Sequence, residues 1–270
     1  MVRGLWTAAS GMTSQQLNVD TISNNLANIN TTGYKKETTN FKSLLYQTME
    51  GPNIPNAGKP TTMQVGHGVR ALSNSRSYSP GILQSTGKDT DMAIEGKGFF
   101  TVLNGEQMTY TRDGSFRFSI TDGGAYALVT ADGSPALSTE DEPILIGSEI
   151  PADQVKVSKD GAVYYNDPDT KTRMEIAQLK IVQFANVEGL EAIGSNLFIQ
   201  TAASGEPLVE GDAEGLVRSN IATKCLEGSN VQVAEEMVKL IVAQRAYELN
   251  STAIKAVDTM LQQANELKRG

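Results

Sequence analysis

Apolar residues recur at alternating steps of three and four positions at both ends of the chain. The N-terminal stripe runs through Leu5, Ala8, Met12, Gln15, Val19, Ile22, Leu26 and Ile29. The C-terminal stripe runs through Val233, Met237, Leu240, Ala243, Tyr247, Asn250, Ile254, Val257, Leu261 and Ala264. Only Gln15 and Asn250 interrupt the apolar character. Because this is the seam spacing of paired helices, the pattern predicts two long helices that contact each other or copies of themselves.

The predicted helices are long. The first is expected from about residue 4 to residue 30, with Gly33 as a stop signal after asparagines that weaken its last turns. The second is expected over residues 231–268, and Ser229 and Gln232 have the spacing of a capping box at its start. At about 1.5 Å per residue the helices would span roughly 40 Å and 57 Å, so each needs a partner along its length.

Between the helices the hydrophobic period falls to two, as in Phe116-Arg117-Phe118, which indicates β-strands. The segments 110–116 and 175–184 are the clearest hairpin and core strand. Four Asp-Gly dipeptides suit tight turns: Asp113-Gly114, Asp122-Gly123, Asp132-Gly133 and Asp160-Gly161. The expected fold class is α+β, with long terminal α-helices pairing as a coiled coil and a central antiparallel all-β domain.

The chain is expected to divide into four regions. Residues 1–50 form an N-terminal helical assembly region, in which 35–49 is a short helix or an extended arm. Residues 51–64 form a linker rich in proline and glycine, which disfavour regular structure. Residues 65–204 form the central β domain, and residues 205–270 form a C-terminal connector followed by the long assembly helix.

Composition narrows the classes of partner. The formal net charge of -8 argues against binding to nucleic acid or to anionic membrane surfaces, which recruit clustered Lys and Arg. No apolar run approaches the roughly 20 residues that cross a bilayer, and polar residues interrupt any N-terminal secretion signal. Taken alone, this predicts a cytoplasmic protein. The single cysteine, Cys225, allows no intramolecular disulfide and is interpreted as a packing residue.

No catalytic, cofactor or metal site is predicted. The only histidine, His67, lies between two glycines without a nucleophile or carboxylate nearby and is interpreted as a turn residue. The glycines of Glu95-Gly96-Lys97-Gly98 lack the context of a phosphate-binding loop. The acidic residues of Asp89-Thr90-Asp91 and Asp167-Pro168-Asp169 lack the remaining positions of a calcium loop. The chain is therefore not expected to be an enzyme.

Specific strings resemble the bacterial flagellar rod and hook family. The N-terminal strings are Leu5 to Met12, Asn24 to Asn28 and Thr31 to Lys36. The central strings are Ala93 to Phe100 and Tyr110 to Phe116, and the C-terminal ones are Gly228 to Val231, Glu235 to Val238 and Gln244 to Asn250. They occur in the family's order along the whole chain. The signature positions carried over are Asn24, Asn25, Leu26, Ala27, Asn28, Gly33, Tyr34, Lys35, Gln244, Arg245, Ala246 and Tyr247.

Within that family the chain is most similar to a rod member. Leu44 to Thr48 and Val65 to Val69 carry this likeness, and a hook protein would usually have a larger central insert. The segments 51–62 and 123–150 resemble the family less closely. A hook protein or another rod paralogue therefore remains an alternative.

The resemblance implies a structural subunit that self-assembles into a helical tube and transmits torque from the motor to the hook. It implies export in an unfolded state by the flagellar type III apparatus, without a cleavable signal, to the basal body in the periplasm or cell wall. Implied partners are further copies of the chain, adjacent rod and hook proteins, the export apparatus, and rod cap and ring (bushing) proteins. No nucleic acid, membrane insertion or cofactor is implied.

The stripes supply the candidate assembly interface. Its residues are Leu5, Met12, Val19, Ile22, Leu26, Ile29, Val233, Met237, Leu240, Tyr247, Ile254, Val257 and Leu261. The terminal regions are expected to be poorly ordered in a monomer, because a lone amphipathic helix is marginal in water. The rival hypothesis is a ligand-binding β domain with dimerisation helices. It predicts a fixed small oligomer and a convergent polar pocket.

Overall fold

The computed structural model describes residues 2–48, 64–121, 123–147, 150–151, 154–166, 173–211 and 216–269. The predicted linker, apart from Gln64, lies outside the described residues, as do Asp122 and the acidic run at 167–169. The fold is α+β, and the chain divides into two compact units. The first comprises residues 1–27, 37–76 and 232–270, and the second comprises residues 28–36 and 77–231.

The first unit contains the two long helices and two short antiparallel strand pairs. The helices are α1 (Val2–Ala27) and α2 (Val233–Arg269). The strands are β1 (Glu37–Ser43), β2 (Tyr46–Thr48), β3 (Gln64–Gly66) and β4 (Val69–Arg76). Strand β1 pairs with β4, and β2 pairs with β3. The segment predicted as a short helix or an extended arm is therefore extended.

Both helices are shorter than the sequence predicted. Helix α1 ends at Ala27, and Ile29 lies in a turn in which the Thr31 amide donates to the Asn28 carbonyl at 3.3 Å. Helix α2 begins at Val233, two residues after the predicted start. The expected capping box is wrong, because the Ser229 hydroxyl accepts from the Val231 amide at 3.3 Å and precedes the helix by four residues.

The second unit is built from short strands. These are β5 (Leu83–Ser85), β6 (Met92–Glu95), β7 (Phe99–Asn104), β8 (Gln107–Thr111), β9 (Arg117–Ile120), β10 (Tyr126–Val129), β11 (Leu145–Ile146), β12 (Val155–Val157), β13 (Ala162–Asn166), β14 (Arg173–Gln178), β15 (Ile181–Gln183), β16 (Glu191–Gly194), β17 (Leu197–Ile199), β18 (Leu208–Val209), β19 (Asn220–Thr223) and β20 (Cys225–Glu227). The strands continue beyond residue 204, where the predicted β region ended.

All strand pairs of this unit are antiparallel. The largest sheet has the order β16-β17-β8-β7-β15-β18. Two three-stranded sheets have the orders β11-β10-β9 and β12-β13-β14, and β19 pairs with β6 while β20 pairs with β5. The predicted core strand at 175–184 is divided between β14 and β15. The break at Leu179 and Lys180 lets the chain leave one sheet and enter another.

Two apolar clusters fill this unit. The larger one includes Met92, Ile94, Phe100, Phe116 and Ile221. The smaller one is aromatic, and Phe99, Tyr110, Phe184 and Phe198 contact one another edge to face. The predicted hairpin at 110–116 is wrong, because β8 pairs with β7 and β17 whereas β9 pairs with β10.

Candidate functional site

In the first unit, helices α1 and α2 lie against each other in antiparallel orientation. Asn25 contacts Glu236, and Gly11 lies against Asn250, so the residue numbers of the two helices run in opposite directions along the contact. Ile22 and Ala243 are buried. A Cβ on Gly11 would stand 2.9 Å from the Asn250 amide nitrogen. Glycine therefore permits the close approach at the polar position that interrupts the C-terminal stripe.

Most of the predicted interface residues are at least partly buried in the single chain. Ile22 is buried, and the following are half-buried: Leu5, Met12, Val19, Leu26, Leu240, Ile254, Val257 and Leu261. Ile29 is half-buried in the turn after α1. Val233, Met237 and Tyr247 are 45%, 51% and 37% exposed. At the start of α2 the buried position is Glu236, so the stripe enters that helix one residue out of phase with the prediction.

Asn25, one of the signature positions, is a buried hydrogen-bonding hub. Its amide nitrogen donates to the Glu37 carbonyl at 2.7 Å and to the Glu236 carboxylate at 3.1 Å. Its carbonyl accepts from the Glu37 amide at 2.9 Å. The side chain thus satisfies both backbone groups of a strand residue, as a neighbouring strand would. Lys239 also donates to Glu236 at 3.1 Å, so that buried carboxylate is paired.

The side of α2 that faces away from α1 also carries apolar residues. Val238, Ile241, Val242 and Leu249 are between 56% and 71% exposed, and they are called the outer stripe below. Trp6 on α1 is 73% exposed. A contiguous exposed apolar surface on one chain usually marks an interaction site. Two other signature positions, Gln244 and Tyr247, line a shallow groove with Val19 of α1, and Arg245 pairs with Glu248 at 2.8 Å.

In the second unit, residues from the N-terminal, central and C-terminal strings that resemble the rod and hook family lie close together. The amide of Gly33, from the N-terminal block, donates to the Glu227 carbonyl at 2.8 Å. The neighbouring Thr32 hydroxyl donates to the Asp113 carboxylate of the central block at 3.0 Å. Gly33, Lys35, Arg112, Glu227 and Asn230 are called the signature junction below. The junction joins segments that lie far apart in the sequence.

A buried ion pair lies at the centre of the junction. The Lys35 ammonium and the Glu227 carboxylate are 2.6 Å apart, and both side chains are 1% exposed. The ammonium also donates to the Ser79 carbonyl at 3.0 Å. Burial lowers the pKa of Lys35, because loss of water disfavours the charged form, while the charge of Glu227 acts in the opposite direction. The ion pair and its hydrogen bonds therefore hold the ammonium in place.

Arg112 completes this buried cluster. Its guanidinium donates to the Gly96 carbonyl at 2.8 Å and to the Glu227 carboxylate at 3.5 Å, and it lies 5.0 Å above the Phe99 ring. Burial lowers its pKa, against the effect of Glu227. The Gly81 amide donates to the same carboxylate at 2.8 Å. The Glu227 carboxylate therefore accepts from three groups, the Lys35 ammonium, the Arg112 guanidinium and the Gly81 amide. The Lys35 ammonium donates to two acceptors, the Glu227 carboxylate and the Ser79 carbonyl.

Asn230 provides a further connection in the junction. Its carbonyl accepts from the Lys36 amide at 2.8 Å, and its amide nitrogen donates to the Ser77 and Ser79 carbonyls at 2.8 Å and 3.1 Å. Burial of Arg112, Glu227, Asn230 and Glu236 among polar partners was not predicted from the sequence. The available signal was weak: a charged residue beside core strands can be either buried or solvated, and composition does not distinguish the two.

Among the described residues no group of His, Cys, Asp and Glu is arranged to hold a metal ion, and neither described helix is both long and apolar enough to cross a membrane. A polar cavity of about 280 Å³ is lined by Glu210. Its carboxylate already accepts from Gln183 and from the amide and hydroxyl of Ser219, each at 2.6 Å. His67 is exposed between β3 and β4.

Three family profiles match successive parts of the chain. The profile described as "Flagella basal body rod protein" matches residues 5–35. The profile described as "Flagellar hook protein FlgE/F/G D1 domain" matches residues 93–165. The profile described as "Flagellar basal body rod FlgEFG protein C-terminal" matches residues 223–267. All three profiles describe rod or hook proteins of the flagellum.

Full-length relatives narrow the assignment. The "Flagellar basal-body rod protein FlgG" of Borreliella burgdorferi is 45% identical over all of both chains, and that of Bacillus subtilis is 35% identical over all of both chains. The "Flagellar hook-basal body complex protein FlhP" of Bacillus subtilis is 33% identical over 99% of this chain and 100% of that protein. The chain therefore belongs to the flagellar basal-body rod protein family. It is a structural subunit of the basal body, as the resemblance indicated.

A solved structure, the Helicobacter pylori flagellar hook protein FlgE2, is 14% identical to this chain. The likeness covers 62% of this chain and 47% of that one, with a TM-score of 0.24. It is too weak to support a comparison of folds. Family membership rests on the sequence matches alone.

Proposed function

We propose that the chain is a subunit of the distal part of the rod, and that copies of it assemble into a helical tube. The name shared by the relatives at 35% to 45% identity supports a rod subunit, as does their full-length coverage. The strings at 44–48 and 65–69 support the distal position over a proximal-rod or hook paralogue. The match to the hook-basal body complex protein is somewhat weaker, at 33%.

Within each subunit, α1 and α2 pair as a coiled coil. The positions of α2 that carry this seam alternate by four and three residues: Glu236, Leu240, Ala243, Tyr247, Asn250, Ile254, Val257 and Leu261. That repeat is the heptad period of supercoiled helices. Glu236 and Asn250 occupy two seam positions. Polar residues at such positions fix register at a cost in stability, here through Asn25 and Gly11.

The outer stripe is the observation that carries the assembly proposal. Four apolar side chains on α2 remain more than half exposed in the single chain, on the side opposite the seam. Burying them against another subunit would gain roughly 25 cal/mol for each Å² of apolar surface removed from water. A surface that docks on a different patch of the next copy gives a helical assembly when the rotation between copies does not close into a ring. Many such contacts in parallel would resist bending and twisting, which torque transmission requires.

The proposed function also implies which proteins the chain contacts and how it reaches the rod. Adjacent rod and hook proteins would cover the two ends of the tube, and rod cap and ring (bushing) proteins would contact its growing tip and its outside. The flagellar export apparatus would deliver the chain unfolded, without a cleavable signal, to the periplasm or cell wall. A single cysteine suits such a route, because several thiols in an oxidising compartment would risk crosslinking.

The seam is tested by Leu240→Asp. An unpaired carboxylate at a half-buried apolar position is expected to lower the free energy of unfolding of the first unit by about 3 kcal/mol. In cells that lack their own distal rod protein, the variant should fail to build rods, as counted by electron microscopy of isolated basal bodies, and should not restore swimming. Normal rods with Leu240→Asp would refute the seam assignment.

The matched control is Thr252→Asp, which places the same charge on an exposed position of α2. It should leave the free energy of unfolding within about 0.5 kcal/mol of the unmodified value. The unmodified chain must also restore rods in those cells but not in cells that lack a hook or proximal-rod protein. Rescue of the latter cells instead would assign the chain to a paralogue.

A further inference from the structure

Three polar groups of the segment 28–36 contact one distant stretch of chain. The Gly33 amide, the Lys35 ammonium and the Lys36 amide contact Glu227 or Asn230, at 2.8, 2.6 and 2.8 Å. Lys35 and Glu227 are 192 positions apart. The segment also forms hydrogen bonds with Ser77, Ser79, Asp113 and Asn196. Its buried ion pair is supplied by the end of the β region.

We infer that the Lys35–Glu227 ion pair is a folding lock: the segment 28–36 docks only when the segment 225–230 is already in place. A buried ammonium without its carboxylate is an uncompensated charge in an apolar site, which strongly opposes burial. The Ser79 carbonyl is the other hydrogen-bond acceptor of this ammonium and cannot neutralise its charge. Without Glu227, Lys35 would return to water and the backbone on either side would follow it.

The lock is asymmetric. Glu227 would keep the Gly81 amide and the Arg112 guanidinium if Lys35 were absent, and Arg112 would keep the Gly96 carbonyl and the Phe99 ring if Glu227 were absent. Lys35 has no comparable substitute among the described contacts. Loss of Glu227 should therefore release the segment 28–36 much more than loss of Lys35 does.

The lock deepens the proposed function and rests on it for its biological meaning. In a chain that leaves a narrow export channel from one end to the other, Lys35 and Glu227 emerge 192 residues apart. Whichever end emerges first, the residues that follow α1 cannot dock until nearly the whole β region is outside. A subunit whose β region is still inside the channel would thus have an undocked segment 28–36.

The test measures amide hydrogen exchange on the purified, monomeric full-length chain by NMR. Glu227→Leu should speed exchange of the Gly33 and Lys36 amides at least tenfold, while the amides of β7 and β8 change less than threefold. Lys35→Met alone should change Gly33 and Lys36 less than threefold. The double variant Lys35→Met with Glu227→Leu should recover most of the lost protection at Gly33 and Lys36, because the segment then carries no buried ammonium. Arg112 loses its carboxylate in both Glu227→Leu proteins, so that loss is the same on the two sides of the comparison.

The control pair is Arg173 with Glu175, which lies 3.4 Å apart in the same unit with side chains 45% and 67% exposed. Its single and double apolar variants should leave the Gly33 and Lys36 amides unchanged. If Glu227→Leu does not fold, Glu227→Gln keeps the shape and removes the charge, and it should speed the same two amides selectively. These measurements use the monomer, so they stand even if the rod assignment fails.

Two results would overturn the lock. One is unchanged protection of Gly33 and Lys36 in both Glu227 variants. The other is a double variant that loses as much protection as Glu227→Leu alone, because the loss would then come from packing at Glu227 and not from a stranded charge on Lys35.

Discussion

Gly33 is subject to two independent constraints, a positive φ of 67° and a close backbone neighbour. An added Cβ would stand 2.8 Å from the Asp113 amide nitrogen. Gly105 has a φ of 64° with nothing within 4 Å of its Cβ position, so it carries the first constraint alone. Substituting each glycine therefore separates two costs: Gly105 reports the cost of a positive φ alone, and Gly33 reports that cost together with the steric clash at the signature junction.

We expect Gly105→Ala to lower the free energy of unfolding of the second unit by about 1 kcal/mol, the usual cost of a left-handed alanine. Gly33→Ala should lower it by about 3 kcal/mol, because the 112–113 backbone would also have to move. Urea unfolding followed by tyrosine fluorescence measures both. Equal losses would mean that the segment around Gly33 relaxes freely, in conflict with the tight junction described above.

Tyr110 makes the free energy of unfolding of the second unit depend on pH, and this contribution can be separated from those of other residues. The residue is 2% exposed in the aromatic cluster, and burial raises its pKa above the ordinary value near 10, with a smaller contribution from the charge of Asp141. Between these two pKa values the unfolded chain releases the phenol proton while the folded chain retains it. Stability must therefore fall as the pH rises above about 10.

Comparison with Tyr110→Phe measures this contribution. In urea unfolding between pH 8 and 11, the unmodified chain should lose stability above pH 10 relative to the variant, by up to about 1.4 kcal/mol per pH unit. Lys35, whose pKa is lowered, contributes a slope of the opposite sign in both proteins and cancels in the difference. A difference that does not change with pH would show that the buried phenol ionises normally.

At the scale of elements, the helices could be predicted because their apolar stripes are long, but the phase at the start of α2 could not. Val233 and Met237 continue the stripe in the sequence, yet Glu236 is the buried residue. A hydrophobicity pattern does not identify a carboxylate as buried, because its burial depends on partners from elsewhere, here Asn25 and Lys239. Between Leu240 and Leu261 the buried and half-buried positions include Leu240, Ala243, Ile254 and Leu261 of the predicted stripe, whereas Tyr247 is exposed and its neighbour Ala246 is half-buried.

The wrong hairpin at 110–116 has a similar cause. Asp113-Gly114 has the composition of a hairpin turn, but the Asp113 carboxylate accepts from the Ser115 amide at 3.0 Å and from the Thr32 hydroxyl. The turn redirects the chain while Arg112 points into the core. Local turn chemistry predicts that a turn occurs and leaves open which strands pair on either side of it.

At the scale of the whole molecule, the sequence indicated linear regions, whereas the units are discontinuous. Residues 28–36 belong with the β-rich unit, and residues 37–76, interpreted as arm, linker and start of the β domain, belong with the helices. Neither the hydrophobic period nor the composition changes at residues 28–36 and 37–76 in a way that would assign them to these units. It follows from long-range contacts such as Lys35 with Glu227, which only the folded chain displays. The division into assembly regions and β domain therefore stays a prediction about function.

Helix α2 has 37 residues and α1 has 26, so the two cannot match along their whole length. Gly11 lies opposite Asn250 and Asn25 opposite Glu236, so both helices advance 14 residues between these contacts. The same register puts Val2 opposite Thr259. Residues 260–269 thus extend about 15 Å past the start of the described part of α1.

A chain ending at Leu261 is expected to keep the stability of the monomer and lose assembly. The deleted turns lack α1 as a partner, so the free energy of unfolding should change by less than about 0.5 kcal/mol. A chain ending at Asn250 is the control, because it also loses the half-buried Ile254 and Val257 and should be less stable by at least about 2 kcal/mol. Rods built by the Leu261 chain would show that the projecting turns contact no neighbouring subunit. A destabilised monomer would instead mean that these turns pack within their own chain.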